Sequence, residues 1–310
     1  TRKESSAASD VYKRQGLLAM IRQGKHGLFL AQKWARPTRI RLRGHVWRGV
    51  ARVRPYRFDL GRYKDARGFF PFDFFLHRSA PEGWTKDGAI AQRRLWCVWA
   101  GDNPMTVNRM HSLDTLKELN PELELTLVTP SNLHRFIVPA HPLHEAYPHL
   151  SLPHRSDYLR AYFLHHYGGA YADIKSMGAG MADPVLSLRA SDGPWVVGYP
   201  EINSDLVDNI HGPLGDDVRH HFHRVVGIGA LAARPRTPFT AEWLAEIERR
   251  LSYYRADLER HPSTNPFGYE GDYPITWIGL GADVFEPLQL KYLDKIEARP
   301  ELTPNMEDYR

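Results

Sequence analysis

His154 to Lys175 reads HRSDYLRAYFLHHYGGAYADIK, and the fold class follows from the change of period inside it. Residues 156–167 predict a helix. Ser156 suits the N-cap, because its hydroxyl can accept from an amide of the first turn. Leu159, Tyr162 and Phe163 fall on one face of that helix, and Asp157 and Arg160, three apart, share another. Asp157 is then in the first turn, where the helix dipole favours a carboxylate. Gly168-Gly169 stops the helix. Ala170-Tyr171-Ala172-Asp173-Ile174 follows as a short, mostly apolar strand.

The same alternation extends to both sides. Leu95-Trp96-Cys97-Val98-Trp99-Ala100 is a buried strand ending at Gly101. Asp102-Asn103-Pro104 is a turn, and Val107–Leu119 is a helix with Met110, Leu113 and Leu116 in register. Asn120-Pro121 ends it, because a residue before proline avoids helical angles. Residues 123–128 alternate as a strand. Strand, helix, strand is a βαβ unit with a right-handed crossover. Trp195–Tyr199 and Val225–Ala232 are further strands. Thr237-Pro238 opens a long helix striped by Phe239, Trp243, Ile247 and Leu251. The expected fold is α/β, with a mostly parallel central sheet flanked by helices.

Composition bounds the rest. The 310 residues are 42% hydrophobic and 25% charged, with net charge +5, which excludes collagen-like, coiled-coil and disordered classes. The single cysteine, Cys97, excludes an intramolecular disulfide and a cysteine-based zinc site. No apolar run approaches the roughly 20 residues needed to cross a bilayer. A cytoplasmic location is expected, with peripheral contact to an anionic membrane. That contact is expected from nine arginines between Arg36 and Arg62, interleaved with Trp34, Trp47, Tyr56 and Phe58. Nucleic acid is the weaker partner, because no recognition motif accompanies the arginines.

Three regions are expected. Residues 1–15 are set aside as a non-native or disordered leader, since SSAASDVYKRQ (Ser5–Gln15) resembles a translated adapter junction. Residues 16–92 form a basic, aromatic extension whose Phe69–Phe75 end is too apolar for a free linker and should pack onto the next domain. Residues 93–310 form the α/β domain.

Ligands of open α/β sheets bind outside the carboxyl ends of the strands, which puts Asp173 and Lys175 where a ligand would lie. On spacing alone, Asp157 and Arg160 read first as a surface ion pair worth up to about 1 kcal/mol. His165-His166 reads as a core or interface pair. His220-His221-His223 is a candidate metal cluster but has no acidic partner at a set spacing, and the loop acids Asp205, Asp208, Asp216 and Asp217 read first as solvated loop residues, with acceptor contacts or a missing metal ligand as the alternative.

Ser156-Asp157-x-x-Arg160, followed by Gly168-Gly169-Ala170-Tyr171-Ala172-Asp173, resembles the sugar-transferase segment of the DXD-type glycosyltransferases. These include capsular polysaccharide synthesis proteins, yeast-type initiating mannosyltransferases and clostridial glucosylating toxins. Trp96–Arg109, Thr129–Leu133, His141–His144, Gly198–Glu201 and Tyr273–Trp277 are similar to blocks of the capsular-type members. The resemblance covers roughly residues 93–290 and implies a GT-A fold, a nucleotide-sugar donor, and a glycan or glycolipid acceptor. It implies hexose transfer with retention, in surface polysaccharide synthesis.

It also implies roles for particular residues. Trp99 would lie against the base, within a donor-binding set of Trp99, Ala100, Gly101, Asn103, Gly168, Gly169 and Tyr171. Asp157 and Arg160 would hold the sugar, and Asp173 would match the first Asp of the family's motif. The family's second motif Asp, which binds Mn or Mg, is Lys175 here. Three alternatives follow. Lys175 replaces the metal; Asp173 holds one with a carboxylate from elsewhere; or the site is inactive and only binds.

Overall fold

The strands carry two alternating faces, and the sheet is built from that alternation. In β1 (Arg94–Val98) Leu95 and Cys97 point to one side and Trp96 and Val98 to the other. In β3 (Gly169–Ala172) Ala170 and Ala172 join the first side and Tyr171 the second. This period of two is what a strand covered on both faces requires. The computed structural model describes residues 44–50, 53, 56–86, 88–190, 192–201, 210, 212–266, 268 and 271–306.

With β2 (Glu124–Val128), β4 (Val196–Pro200), β5 (Val226–Ala233) and β6 (Ile296–Ala298), the sheet has the order β2-β1-β3-β5-β4-β6. β1 pairs parallel with β2 and β3, and β4 with β6, while β5 runs antiparallel to both neighbours. The expected α/β architecture is therefore present, with one reversed strand inside it.

Helices cover both faces. α1 (Val107–Leu119) and α3 (Ala182–Ser187) lie on the side of Leu95 and Cys97, through Leu116 and Val185. α2 (Leu152–His166), α5 (Pro238–Arg260) and α6 (Ala282–Lys291) lie on the side of Trp96. α4 (Gly212–His220) completes the set. Phe239, Trp243, Ile247 and Leu251 of α5 are buried as their spacing predicts, and Thr237 caps that helix through a reciprocal bond pair with Thr240. Trp96 stacks on Phe163 of α2 at 4.6 Å and donates its indole N–H to Gly168 O at 3.1 Å.

α2 begins at Leu152 after Ser151, a full turn before the expected Ser156 cap. Pro153 explains the earlier start, since proline is tolerated in the first turn, where its missing N–H has no intrahelical partner. Asp157 is accordingly in the second turn, so its place there is owed to side-chain partners rather than to the helix dipole. Met110 of α1, expected on the buried stripe, is 48% exposed, and Ser112 lies buried on that helix instead.

By contact density the chain divides into residues 1–53 and 54–310. Within the first unit, residues 44–50 are helical. In the second, the aromatic stretch before β1 supplies Tyr63, Phe74, Phe75 and Leu76 to the core on the α2 side. The expectations for the leader, and for most of the arginine-rich segment, fall on residues outside the described ones. No helix among the described residues is long and apolar enough to cross a membrane.

Candidate functional site

Strand parity places the site. Tyr171 faces α2, so Asp173 and Lys175, two and four residues on, continue on that side as the chain leaves β3 at the carboxyl end of the sheet. Arg160 of α2 points back at them. Its guanidinium bonds Asp157 Oδ1 through Nη1 at 2.6 Å and Asp173 Oδ1 through Nη2 at 3.1 Å. Nη2 also donates to the Tyr171 hydroxyl at 3.2 Å, and the guanidinium carbon lies 4.3 Å from the centre of that ring. Tyr171 donates in turn to Asp173 Oδ1 at 3.1 Å, and Lys175 Nζ bonds Asp173 Oδ2 at 3.1 Å. Arg160 is 4% exposed and Asp157 14%, which excludes a surface ion pair.

The charges reinforce one another. Burial alone would raise the Asp173 carboxyl, but Lys175 and Arg160 together hold it below the usual carboxylate range. Burial would lower Arg160, yet Tyr171, Asp157 and Asp173 outweigh it and keep the guanidinium charged. Burial raises the Tyr171 phenol, which stays neutral and able to donate. Cys97 is pushed up to about 12 by burial and by Asp173, so it is an inert thiol.

Three contacts that the sequence does not signal fix this cluster. A Cβ on Gly281 would stand 3.0 Å from Asp157 Oδ2, so the segment before α6 passes directly against that carboxylate. His154, one turn before Asp157, bonds the Tyr273 hydroxyl at 2.8 Å and stacks on its ring, and its Nε2 lies 3.0 Å from Thr276 O. Burial keeps His154 neutral. A Cβ on Gly229 of β5 would meet Asp173 Oδ2 at 3.2 Å and the Tyr199 hydroxyl at 3.3 Å. These partners lie about 55 to 125 residues away in sequence, so no local pattern announces them.

The other expected residues separate into two groups. Trp99, Ala100, Gly101 and Asn103 follow β1 at the same carboxyl edge. Trp99 packs on the α1 side, its indole N–H donating to Asn103 O at 2.7 Å. A Cβ on Gly101 would touch Leu152 at the start of α2, at 2.7 Å. Gly168 and Gly169 lie at the opposite, amino end of β3. Both have positive φ (65° and 92°), and a Cβ there would press into Pro235 and into Arg94 O, respectively. Their freedom from a side chain serves sheet packing, not the carboxyl-edge cluster.

A divalent cation asks for several oxygen ligands. Among the described residues no three His, Cys, Asp or Glu side chains are grouped to hold one. Asp173 already carries cations on both oxygens. The residues described do not fit a metal, and Lys175 occupies the place the motif gives to its second acid. His220, His221 and His223 form no such group either. Asp216 pairs with Arg219, and Asp217 with Arg62 and Tyr63. Asp205 and Asp208 are outside the described residues.

Residues 106–187 match the family model described as "Glycosyltransferase sugar-binding region containing DXD motif". Comparison with curated proteins gives no match. Among solved structures the chain is similar to the "PaToxG Glycosyltransferase", with 14% identity over 68% of this chain and 71% of that one, at a TM-score of 0.39. The matched stretch runs from α1 to α3 and contains every side chain of the ion-pair cluster. Residues 106–187 are thus similar to the sugar-binding region of DXD-type glycosyltransferases.

Proposed function

We propose that this protein transfers a hexose from a nucleotide-sugar donor to a hydroxyl acceptor, with the donor seated on Asp157, Arg160, Asp173 and Lys175. One observation carries the reading: a buried guanidinium shared by two carboxylates at the carboxyl end of β3, with a lysine on the second carboxylate. Carboxylates accept from sugar hydroxyls, and cations match a diphosphate. Trp99 offers a flat ring at the same edge for a base.

In the reaction, the acceptor oxygen bonds to the anomeric carbon and loses its proton to solvent. The bond from that carbon to the diphosphate breaks, and its electron pair stays on the departing oxygen. Charge therefore grows on the diphosphate, and fixed cations stabilise it most where they need no rearrangement. Arg160 is pinned by three partners, and Lys175 is held beside Asp173 where the motif would otherwise place a metal-binding acid. Asp157 and Asp173 set the guanidinium's position and leave lone pairs for hydroxyls. The reading adds a GT-A-like fold, retention at the anomeric carbon, a glycan or glycolipid acceptor and a role in surface polysaccharide synthesis at a cytoplasmic, membrane-peripheral location. These follow from the resemblance of the motif.

The test is a thermal-shift panel of UDP-, GDP- and CMP-sugars, with and without manganese, followed by product analysis. A shift with one nucleotide class in the absence of metal, and a released nucleoside diphosphate, is the expected result. A shift without any product would favour the binding-only alternative. No shift with any donor would overturn both.

A further inference from the structure

The segment that touches Asp157 has a second side. Thr276 and Gly279 line a cavity of about 630 Å³, within the range of small-molecule sites. Only Leu280 separates Gly279 on that wall from Gly281 against Asp157, about 7 Å of chain at most. The cavity is therefore the neighbour of the ion-pair cluster, divided from it by one strand of loop.

Its lining has a definite chemistry. Phe72 is 93% exposed and Tyr253 63%, so two large rings meet solvent at a concave surface. Tyr254 stands edge-on to Tyr253, with ring centres 4.9 Å apart. Such rings present apolar faces that suit the C–H face of a pyranose, with a phenol hydroxyl at the edge for bonding. Charge argues against an anionic occupant. Arg249 and Arg250 both line the cavity, yet both are tied to buried Glu246 at 2.5–2.9 Å. Arg250 also donates to Gly279 O at 2.7 Å, which fixes the wall. Asp73 and Asp283 add two further carboxylates to the lining. Two guanidiniums against three carboxylates leave no surplus positive charge for a phosphate or an acidic sugar.

We infer that this cavity is the acceptor subsite and takes the uncharged saccharide end of the acceptor, stacked on Phe72 and Tyr253. The inference rests on the proposed transfer reaction and names its acceptor class. The cavity then holds the part of the acceptor remote from its reacting hydroxyl, and the acceptor passes residues 276–281 to reach the donor seat.

The experiment presents the full chain to an immobilised array of neutral and acidic oligosaccharides. Wild type should bind neutral glycans, and the double variant Phe72→Ala/Tyr253→Ala should bind them at least tenfold more weakly. Both rings are exposed, so the variant should keep its melting temperature. Binding to no glycan, binding to acidic glycans alone, or equal binding by the double variant would overturn the inference. A nucleotide-sugar thermal shift on wild type reads the donor site separately. A shift without glycan binding sinks the acceptor cavity alone, whereas glycan binding without a shift sinks the donor site.

Discussion

Replacing Arg160 by alanine would leave Asp157 and Asp173 without the guanidinium they share, in a region where Arg160 itself is 4% exposed. Removing one partner of a buried ion pair costs about 3–5 kcal/mol, because the remaining charge stays desolvated. Arg160→Ala should therefore lose stability and donor binding together. Asp157→Asn keeps the shape and one bond to Arg160, and should retain the fold while weakening donor binding. Urea denaturation and the donor-induced thermal shift, measured on both variants, separate the two effects. An Arg160→Ala protein as stable as wild type would show the cluster to be looser than its distances state. Much of this residue-level arrangement is legible in ADIK: Ala172 and Ile174 belong to one face, Asp173 and Lys175 to the other. The i, i+3 spacing of Asp157 and Arg160 is also plain. Their burial is not, because it depends on Gly229 and Gly281, whose lack of a side chain lets distant segments close over the carboxylates.

At the scale of elements, α2 joins the site at its middle to a histidine group at its end. His165 is lowered to about 4, chiefly by burial and then by Arg236 and His141. His166 is lowered to about 3, by burial and by His165, His141 and Arg236. In the unfolded chain both protonate near 6.5. Between that value and about 4 the unfolded state binds more protons, so stability is full above about pH 6.5 and falls as the pH drops towards 4. His165 also meets the Thr240 hydroxyl at 3.2 Å. His165→Gln keeps a polar group there without titrating, so thermal midpoints between pH 7 and 4 should fall less steeply than in wild type. Equal slopes would place the acid sensitivity elsewhere. The sequence shows α2 clearly from Leu159, Tyr162 and Phe163 but misplaces its start, since Ser156 looks like a cap. The glycine pair after α2 is equally visible as a stop. Its second service, making room for Pro235 and the Arg94 carbonyl, appears only once the sheet is assembled.

For the whole molecule, the core crosses the border that composition suggests. The shift from arginine-rich to apolar sequence at residue 93 marks the first strand, yet Tyr63, Phe74, Phe75 and Leu76 are already buried in the core. Their burial together contributes about 6–12 kcal/mol, comparable with the whole stability of an ordinary domain. A chain starting at residue 54 should melt cooperatively, whereas one starting at residue 93 should not fold. Circular dichroism melts of the two truncations decide this, and a cooperative melt from the shorter chain would contradict the packing described. At this scale too stands the central claim, a sugar transferase whose leaving diphosphate is met by protein cations, Lys175 foremost. The most direct measurement is nucleotide-sugar turnover by wild type and Lys175→Ala, each in EDTA and in manganese. The account predicts that wild type keeps its rate in EDTA, and that Lys175→Ala loses on the order of 10²–10³-fold in either condition. Loss of activity in EDTA, recovery with manganese and indifference to Lys175→Ala would contradict it.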